Sequence, residues 1–115
     1  MTTFETLAER YERGVTFFEA RDYITAAELL GTVSAEEPGN LAVRMLLARA
    51  YYHSAQLGRA EQELRKAVEQ DPSDAYAHLL LGRTLQRQSR HGEGQGHLRL
   101  AAALSGEAAY AAFAP

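Results

Sequence analysis

Residues 41–74 read LAVRMLLARAYYHSAQLGRAEQELRKAVEQDPSD and contain two segments whose apolar residues recur at helical spacing. The first segment runs to about Ser54, and the second begins near Gly58 after a short break. Pro72 ends the second segment, since proline cannot continue a helix. The stretch therefore predicts one helix-turn-helix unit.

The features of this unit recur at a fixed interval along the chain. The spacing from Pro38 to Pro72 is the same as that from Leu30 to Leu64 and from Leu64 to Leu98. A small residue repeats at the same interval and is followed three positions later by a large one; these residues are Gly14, Ala48 and Gly82, then Phe17, Tyr51 and Leu85. A period of this length, about 34 residues, indicates a solenoid of stacked helical pairs.

These positions resemble the tetratricopeptide repeat (TPR) family. The resemblance also rests on Ala26, Ala60, Val33, Ala67 and Ala101, and it covers about residues 7–108. It implies an all-α fold, an α-solenoid of three helix-turn-helix repeats at about 7–40, 41–74 and 75–108. Residues 109–115 are expected to form a short C-terminal capping helix, and residues 1–115 a single domain.

Helix boundaries follow from capping residues and breakers. Thr2 and Glu5 fit a capping box. Asp22 fits the N-cap of the next helix, and Asn40 follows the stop at Pro38. The predicted helices are 3–20, 23–36, 41–54, 58–70 and 75–90, followed by a weaker sixth helix.

The sixth helix is expected to start late, near 93–95, and to end near Leu104. Gly92, Gly94 and Gly96 lie where the period requires helix, and each costs about 1 kcal/mol relative to alanine. In the preceding repeat, Glu61 and Arg65 are four residues apart in the favourable order for a helical ion pair.

Composition excludes several classes of protein. The chain has no cysteine and no apolar run near the ~20 residues of a membrane span. No secretory signal pattern is present at the N-terminus, so a cytoplasmic location is expected. The net charge is −5 over residues 1–40, 0 over 41–74 and +2 over 75–115. This gradient fits either solvated helix faces or head-to-tail association, and it does not favour nucleic acid.

The TPR resemblance implies a ligand groove along the concave side, formed by the first helix of each pair. Its positions here are apolar and aromatic, with arginines, which is the composition of interface cores. The predicted groove residues are Tyr11, Val15, Phe18, Met45, Leu46, Arg49, Tyr52, Tyr76, Leu79, Arg83 and Arg87.

Some TPR domains hold a chaperone C-terminal carboxylate with a Lys and Asn clamp. The equivalent positions here are Tyr11, Val15, Leu46, Tyr76 and Leu80, none of which can pair with a carboxylate. An apolar or amphipathic partner segment fits such a groove better.

Other chemistry has little support in the sequence. The segment 92–96 reads GEGQG, but it follows a helix and lacks the Lys-Ser/Thr of a phosphate loop. His91 and His97 are six apart, which does not place them on one helix face, and His53 and His78 stand alone in the sequence. No catalytic constellation, metal site or cofactor site is predicted.

The sequence therefore favours a non-enzymatic protein-interaction module that binds a segment of a partner in its concave groove. The alternative is a homo-oligomer that assembles through the groove, the third repeat or the C-terminal tail. A third possibility, that the groove residues are simply hydrophobic core, also remains open.

Overall fold

The computed structural model describes residues 4–106 as an all-helical solenoid, which confirms the predicted fold class. Its helices are α1 (Leu7–Glu19), α2 (Tyr23–Glu36), α3 (Leu41–His53), α4 (Leu57–Gln70), α5 (Ala75–Arg87) and α6 (His91–Ser105). The predicted capping helix at 109–115 lies outside the described residues.

Each helix packs mainly against the helices next to it in the chain. Such a pattern of nearest-neighbour contacts defines a solenoid. Ala48, Ala60 and Leu64 are fully buried in one core cluster, which also holds Leu81 and Leu85 of the next repeat. A second cluster joins α2 to α3 through Leu30 and Leu47. A third cluster, Leu79 with Leu98 and Ala101, lies between α5 and α6, so core residues lie both within and between the helix pairs.

The first helix begins later than the sequence indicated. The N-cap is Thr6, whose hydroxyl accepts a hydrogen bond from the Glu9 backbone at 3.1 Å, while the Glu9 carboxylate accepts one from the Thr6 backbone at 3.2 Å. The predicted start at residue 3 was therefore wrong, because both Thr2-x-x-Glu5 and Thr6-x-x-Glu9 fit the capping-box pattern. Glu5 instead pairs with Arg13 at 2.7 Å.

The turn inside each helix pair contains one residue in the left-handed conformation. These residues are Arg21, Ala55 and Ser89, with φ of 63°, 60° and 64°, and they occupy the same position in each repeat. The backbone conformation of the turn is therefore the same in all three repeats. The caps that follow it differ, because Asp22 accepts a hydrogen bond from the Thr25 backbone, as predicted, whereas Gln56 and Arg90 form no side-chain cap.

The sixth helix begins at His91, so the expected late start was wrong. Gly94 is buried where α6 crosses α5, and a Cβ there would lie 2.7 Å from the carbonyl oxygen of Gly82. In the same way, a Cβ on Gly82 would lie 2.8 Å from the carbonyl oxygen of Gly94. Close backbone packing at Gly94 therefore offsets the low helix propensity of this glycine.

Charged side chains connect α4 to α6, the second helices of the second and third repeats. Arg65 forms the predicted ion pair with Glu61 at 2.9 Å and also reaches Glu93 at 3.0 Å. Arg90 binds Glu61 and Glu93, each at 2.8 Å. The second and third repeats are therefore tied together across the outer surface.

Among the described residues, the equivalent seam between α2 and α4 has no such network. Ala27 and Gly31 occupy the positions in the first repeat that Glu61 and Arg65 occupy in the second. A depression of about 420 Å³ remains there. Its lining comprises Ile24, Ala27, Glu28, Gly31, Thr32, Ala35, Tyr51, Gln56 and Arg59.

Replacing Gly94 with alanine is expected to lower the free energy of unfolding by about 1–3 kcal/mol, the usual cost of overpacking. The new methyl group would lie 2.7 Å from a backbone oxygen and 2.8 Å from Cγ of Gln86. The higher helix propensity of alanine, about 1 kcal/mol, acts in the opposite direction. Urea denaturation followed by circular dichroism measures the difference.

Gly96→Ala is the matched control, because nothing lies within 4 Å of a Cβ at that position of the same helix. This variant should be more stable than the wild type by up to about 1 kcal/mol. Equal stabilisation by both substitutions would contradict the close α5–α6 crossing.

Candidate partner-binding groove

The first helices of the three repeats share one face, which we call the concave groove. Side chains of α1, α3 and α5 meet on it. Arg49 of α3 lies over the ring of Phe18 in α1, with its guanidinium carbon 4.9 Å from the ring centroid. Arg87 of α5 lies over Tyr52 of α3 at 4.7 Å.

These contacts form what we call the aromatic–arginine row, which consists of Phe18, Tyr23, Arg49, Tyr52, His53 and Arg87. Tyr23 contacts Phe18 edge-on at 5.2 Å and stacks on His53 at 4.7 Å between centroids. Arg87 donates a hydrogen bond of 3.0 Å to the Tyr52 carbonyl. Because guanidinium–ring contacts are attractive, the rings hold the two arginines in defined positions.

The pKa of His53 depends on the charges in this row. Partial burial lowers the pKa of His53, and the positive charges of Arg49 and Arg87 lower it further. The imidazole is therefore mainly neutral at pH 7, and the positive charge of the row resides on the two arginines.

An apolar depression lies at the opposite end of the groove, beside the N-termini of α1 and α3. Its volume is about 410 Å³. Its lining is largely apolar and comprises Leu7, Ala8, Tyr11, Val33, Glu37, Asn40, Ala42 and Val43. The groove thus has an apolar end and a positively charged aromatic end.

The structure places most predicted groove residues at the surface. Tyr76 and the arginines Arg83 and Arg87 are exposed. The half-buried members are Tyr11, Val15, Phe18, Met45, Leu46, Arg49 and Tyr52. Of these, Tyr11, Phe18 and Leu46 pack partly against one core cluster, and Met45 and Tyr52 against another.

Leu79 is placed differently from the other predicted groove residues. Its side chain is only 7% exposed and packs in a core cluster with Leu98 and Ala101 of α6. This position therefore stabilises the third repeat and presents almost no surface to a partner.

The sequence did not predict Tyr23 as a groove residue, because the groove positions were taken from the first helices alone. It is the first residue of α2, where the chain has just turned, so its ring reaches back to Phe18 and His53. A large aromatic residue directly after the Asp22 cap was the available signal.

Within residues 4–106, no three His, Asp or Glu side chains come together as metal ligands. In the same part of the chain, no helix has the length and apolar character needed to cross a bilayer. The groups that this surface presents are aromatic, apolar and guanidinium groups, which are common at protein interfaces.

The stacked helical pairs and their shared groove define an α-solenoid of the repeat class. Residues 17–84 match the family described as tetratricopeptide repeat, which is more than half of the chain. The chain therefore belongs to the tetratricopeptide repeat family. No curated protein matches it in sequence.

Solved structures show the same fold. MamA (residues 41 to the end) from Desulfovibrio magneticus RS-1 is 26% identical with a TM-score of 0.82, over 88% of this chain and 57% of MamA. YrrB, a TPR protein with an unusual peptide-binding site, is 17% identical with a TM-score of 0.88, over 95% of this chain and 56% of YrrB. This chain thus spans little more than half the length of either protein.

The first TPR of Spaghetti (RPAP3), bound to the HSP90 peptide SRMEEVD, is 19% identical with a TM-score of 0.84. The match covers 92% of this chain and 84% of that domain. At this level of identity, the similarity shows the fold.

Replacing Arg49 with glutamine should raise the pKa of His53 towards its usual value of 6.5, because one of the charges that lower it is removed. NMR titration of the His53 ring signals gives this pKa directly. Arg99→Gln, which alters an exposed arginine of α6, is the control and should leave the pKa unchanged. An unchanged value in Arg49→Gln would contradict the geometry of the row.

Proposed function

We propose that this chain is a non-enzymatic protein-interaction module that binds an amphipathic partner segment in the concave groove. The apolar side of the segment would contact the depression beside Tyr11 and the half-buried Met45 and Leu46. Its acidic side chains would lie at the aromatic–arginine row. The observation that carries this proposal is the placement of Arg49 and Arg87 on aromatic rings.

The rings favour the arginines as binding groups in two ways. A guanidinium that stacks on a ring keeps its N–H edge available to a carboxylate. A side chain already held in place also loses less conformational freedom when a partner binds. Within the described residues, Arg49 is part of no ion pair, so a partner carboxylate would displace no existing one.

Related folds support a role in protein interaction. YrrB has a peptide-binding site, and the first TPR of Spaghetti holds a peptide. The CopN–Scc3 complex contains a chain of the same fold, with 17% identity and a TM-score of 0.81. The chain would share the general activity of these proteins without sharing their partners.

A carboxylate clamp for chaperone C-termini is not part of this proposal. The five clamp positions carry Tyr11, Val15, Leu46, Tyr76 and Leu80, which have no positive charge. The positive groups lie elsewhere, on Arg49 and Arg87, so the partner would be held by internal acidic side chains.

The test uses peptides of about 16 residues, the span of roughly four helical turns, selected by the wild-type chain from a random display library. We expect selected sequences to alternate apolar and acidic residues at helical spacing. Arg49→Glu should weaken binding of a selected peptide at least about tenfold, since a charge-assisted hydrogen bond contributes about 1.5–3 kcal/mol. Fluorescence anisotropy measures the affinity.

Arg99→Glu is the matched control, because it makes the same charge change at an exposed position of α6. This variant should bind like the wild type. Equal weakening by both substitutions, or NMR shift changes that avoid α1, α3 and α5, would contradict binding in the groove. Failure to select any peptide would also count against the proposal.

The alternative assembly, a homo-oligomer, is favoured by the opposite charges of the first and last thirds of the sequence, −5 and +2. Head-to-tail pairing of such surfaces weakens with salt because ions screen it. Sedimentation velocity over a wide concentration range should then show larger species at low salt than at high salt. A monomer under all conditions excludes this assembly and leaves the partner-binding proposal unaffected.

A further inference from the structure

The second and third repeats carry different polar pairs at equivalent positions. Arg44 is buried, 7% exposed, and donates hydrogen bonds to Glu63 at 2.7 Å and to the Pro38 carbonyl at 2.6 Å. The equivalent residues of the third repeat are His78, His97 and Pro72. Where the second repeat has an arginine–glutamate ion pair, the third has two histidines.

His78 and His97 are in direct contact between α5 and α6. Their Nδ1 atoms are 3.2 Å apart, and their rings lie 19° from parallel. Nε2 of His78 lies 2.8 Å from the Pro72 carbonyl oxygen. His78 is 5% exposed and His97 is half-buried.

The contacts determine where the protons lie. A carbonyl oxygen only accepts, so Nε2 of His78 carries a proton and its Nδ1 is the acceptor when the ring is neutral. Nδ1 of His97 must then donate across the 3.2 Å contact. A proton on His97 Nε2 would leave this bond in place but put a positive charge at the half-buried crossing of α5 and α6. A further proton, on His78 Nδ1, would set two N–H groups against each other.

The surroundings of His97 oppose its protonation. Burial lowers the pKa of His97, and the positive charge that His78 carries when protonated and the charge of Arg65 on α4 lower it further, partly opposed by Glu93 on α6. Arg65 is itself paired with Glu93 at 3.0 Å. In the part of the chain that the structure describes, no carboxylate takes the place that Glu63 has beside Arg44.

We propose that the His78–His97 contact is an acid-sensitive latch that holds α6 on α5 while both rings are neutral and loosens as His97 is protonated. The first two repeats would stay folded, because the equivalent contact of the second repeat joins Arg44 to Glu63 and contains no histidine. The latch does not depend on the identity of any partner.

The pH range follows from the direction of the pKa shift. Because the pKa of His97 is lower in the folded chain than its usual 6.5, the unfolded chain binds more protons near that pH. The third repeat is therefore most stable above pH 6.5 and loses stability as the pH falls through the folded-state pKa.

Glu93 and Glu61 do not change their charge in the pH range where His97 titrates. Hydrogen bonds from Arg90 and Arg65 lower the pKa of Glu93 below 4.5. Burial acts to raise the pKa of Glu61, but hydrogen bonds from Gln88 and Arg65 and the charges of Arg65 and Arg90 outweigh it and lower that pKa too. Both stay ionised at pH 5.5.

Hydrogen exchange at about pH 7.5 and about pH 5.5, corrected for intrinsic rates, tests the latch in the range where imidazoles titrate. We expect the opening constant of α6 amides to rise at least about tenfold on acidification, while that of α2 amides changes little. His97→Gln cannot titrate and should remove the pH dependence. Equal exchange of α6 at both pH values would overturn the proposal.

Two further variants distinguish the effect of the His78–His97 contact from any other effect of pH on α6. His78→Arg with His97→Glu copies the pair of the second repeat and should also give pH-independent exchange, since both side chains stay charged. His91→Gln alters an exposed histidine at the start of the same helix and should keep the wild-type response. A wild-type response in His97→Gln, or its loss in His91→Gln, would contradict the latch.

Discussion

The close crossing of the two helices inside each repeat is the constraint on which the rest of the structure depends. Small residues at these crossings let the backbones approach, and in the third repeat Gly82 and Gly94 bring two carbonyl oxygens within 2.8 Å of a missing Cβ. Leucines then fill the space beside each crossing, as Leu30, Leu64 and Leu98 do with no exposed surface. The same crossing aligns the first helices so that they share one face.

The sequence predicts the fold well because the information is periodic. The role predicted for a residue in one repeat can be checked against the equivalent residue in the next. The bounds of α2 are also predicted correctly, because Asp22 caps its start and Glu37-Pro38 ends it. Prediction fails where a local signal is ambiguous or opposes the period. At the N-terminus two overlapping capping patterns compete, and at α6 helix propensity opposed tertiary packing. The helix forms in spite of its glycines, because the close packing that a buried glycine allows at a crossing stabilises the chain by more than the low helix propensity of glycine destabilises it.

The groove was predicted less completely than the fold. The TPR resemblance pointed to Phe18, Arg49, Tyr52 and Arg87 as groove residues, and the structure brings these four together. The resemblance could not show that Leu79 faces α6, because several faces of α5 are apolar and the repeat position alone does not say which face is covered. The meeting of His78 with His97, distant in sequence, likewise depends on the angle between two helices.

The unequal seams between the second helices differ in the substitutions that they would tolerate. Between the second and third repeats, Glu61, Arg65, Arg90 and Glu93 span the seam, so removing one charge takes an ion pair from two others. Between the first two repeats, Ala27 and Gly31 leave a depression, and a Cβ at Gly31 would meet only the Tyr51 hydroxyl, at 3.8 Å. The first seam therefore has room for larger side chains, whereas the second constrains the charge at each of its positions.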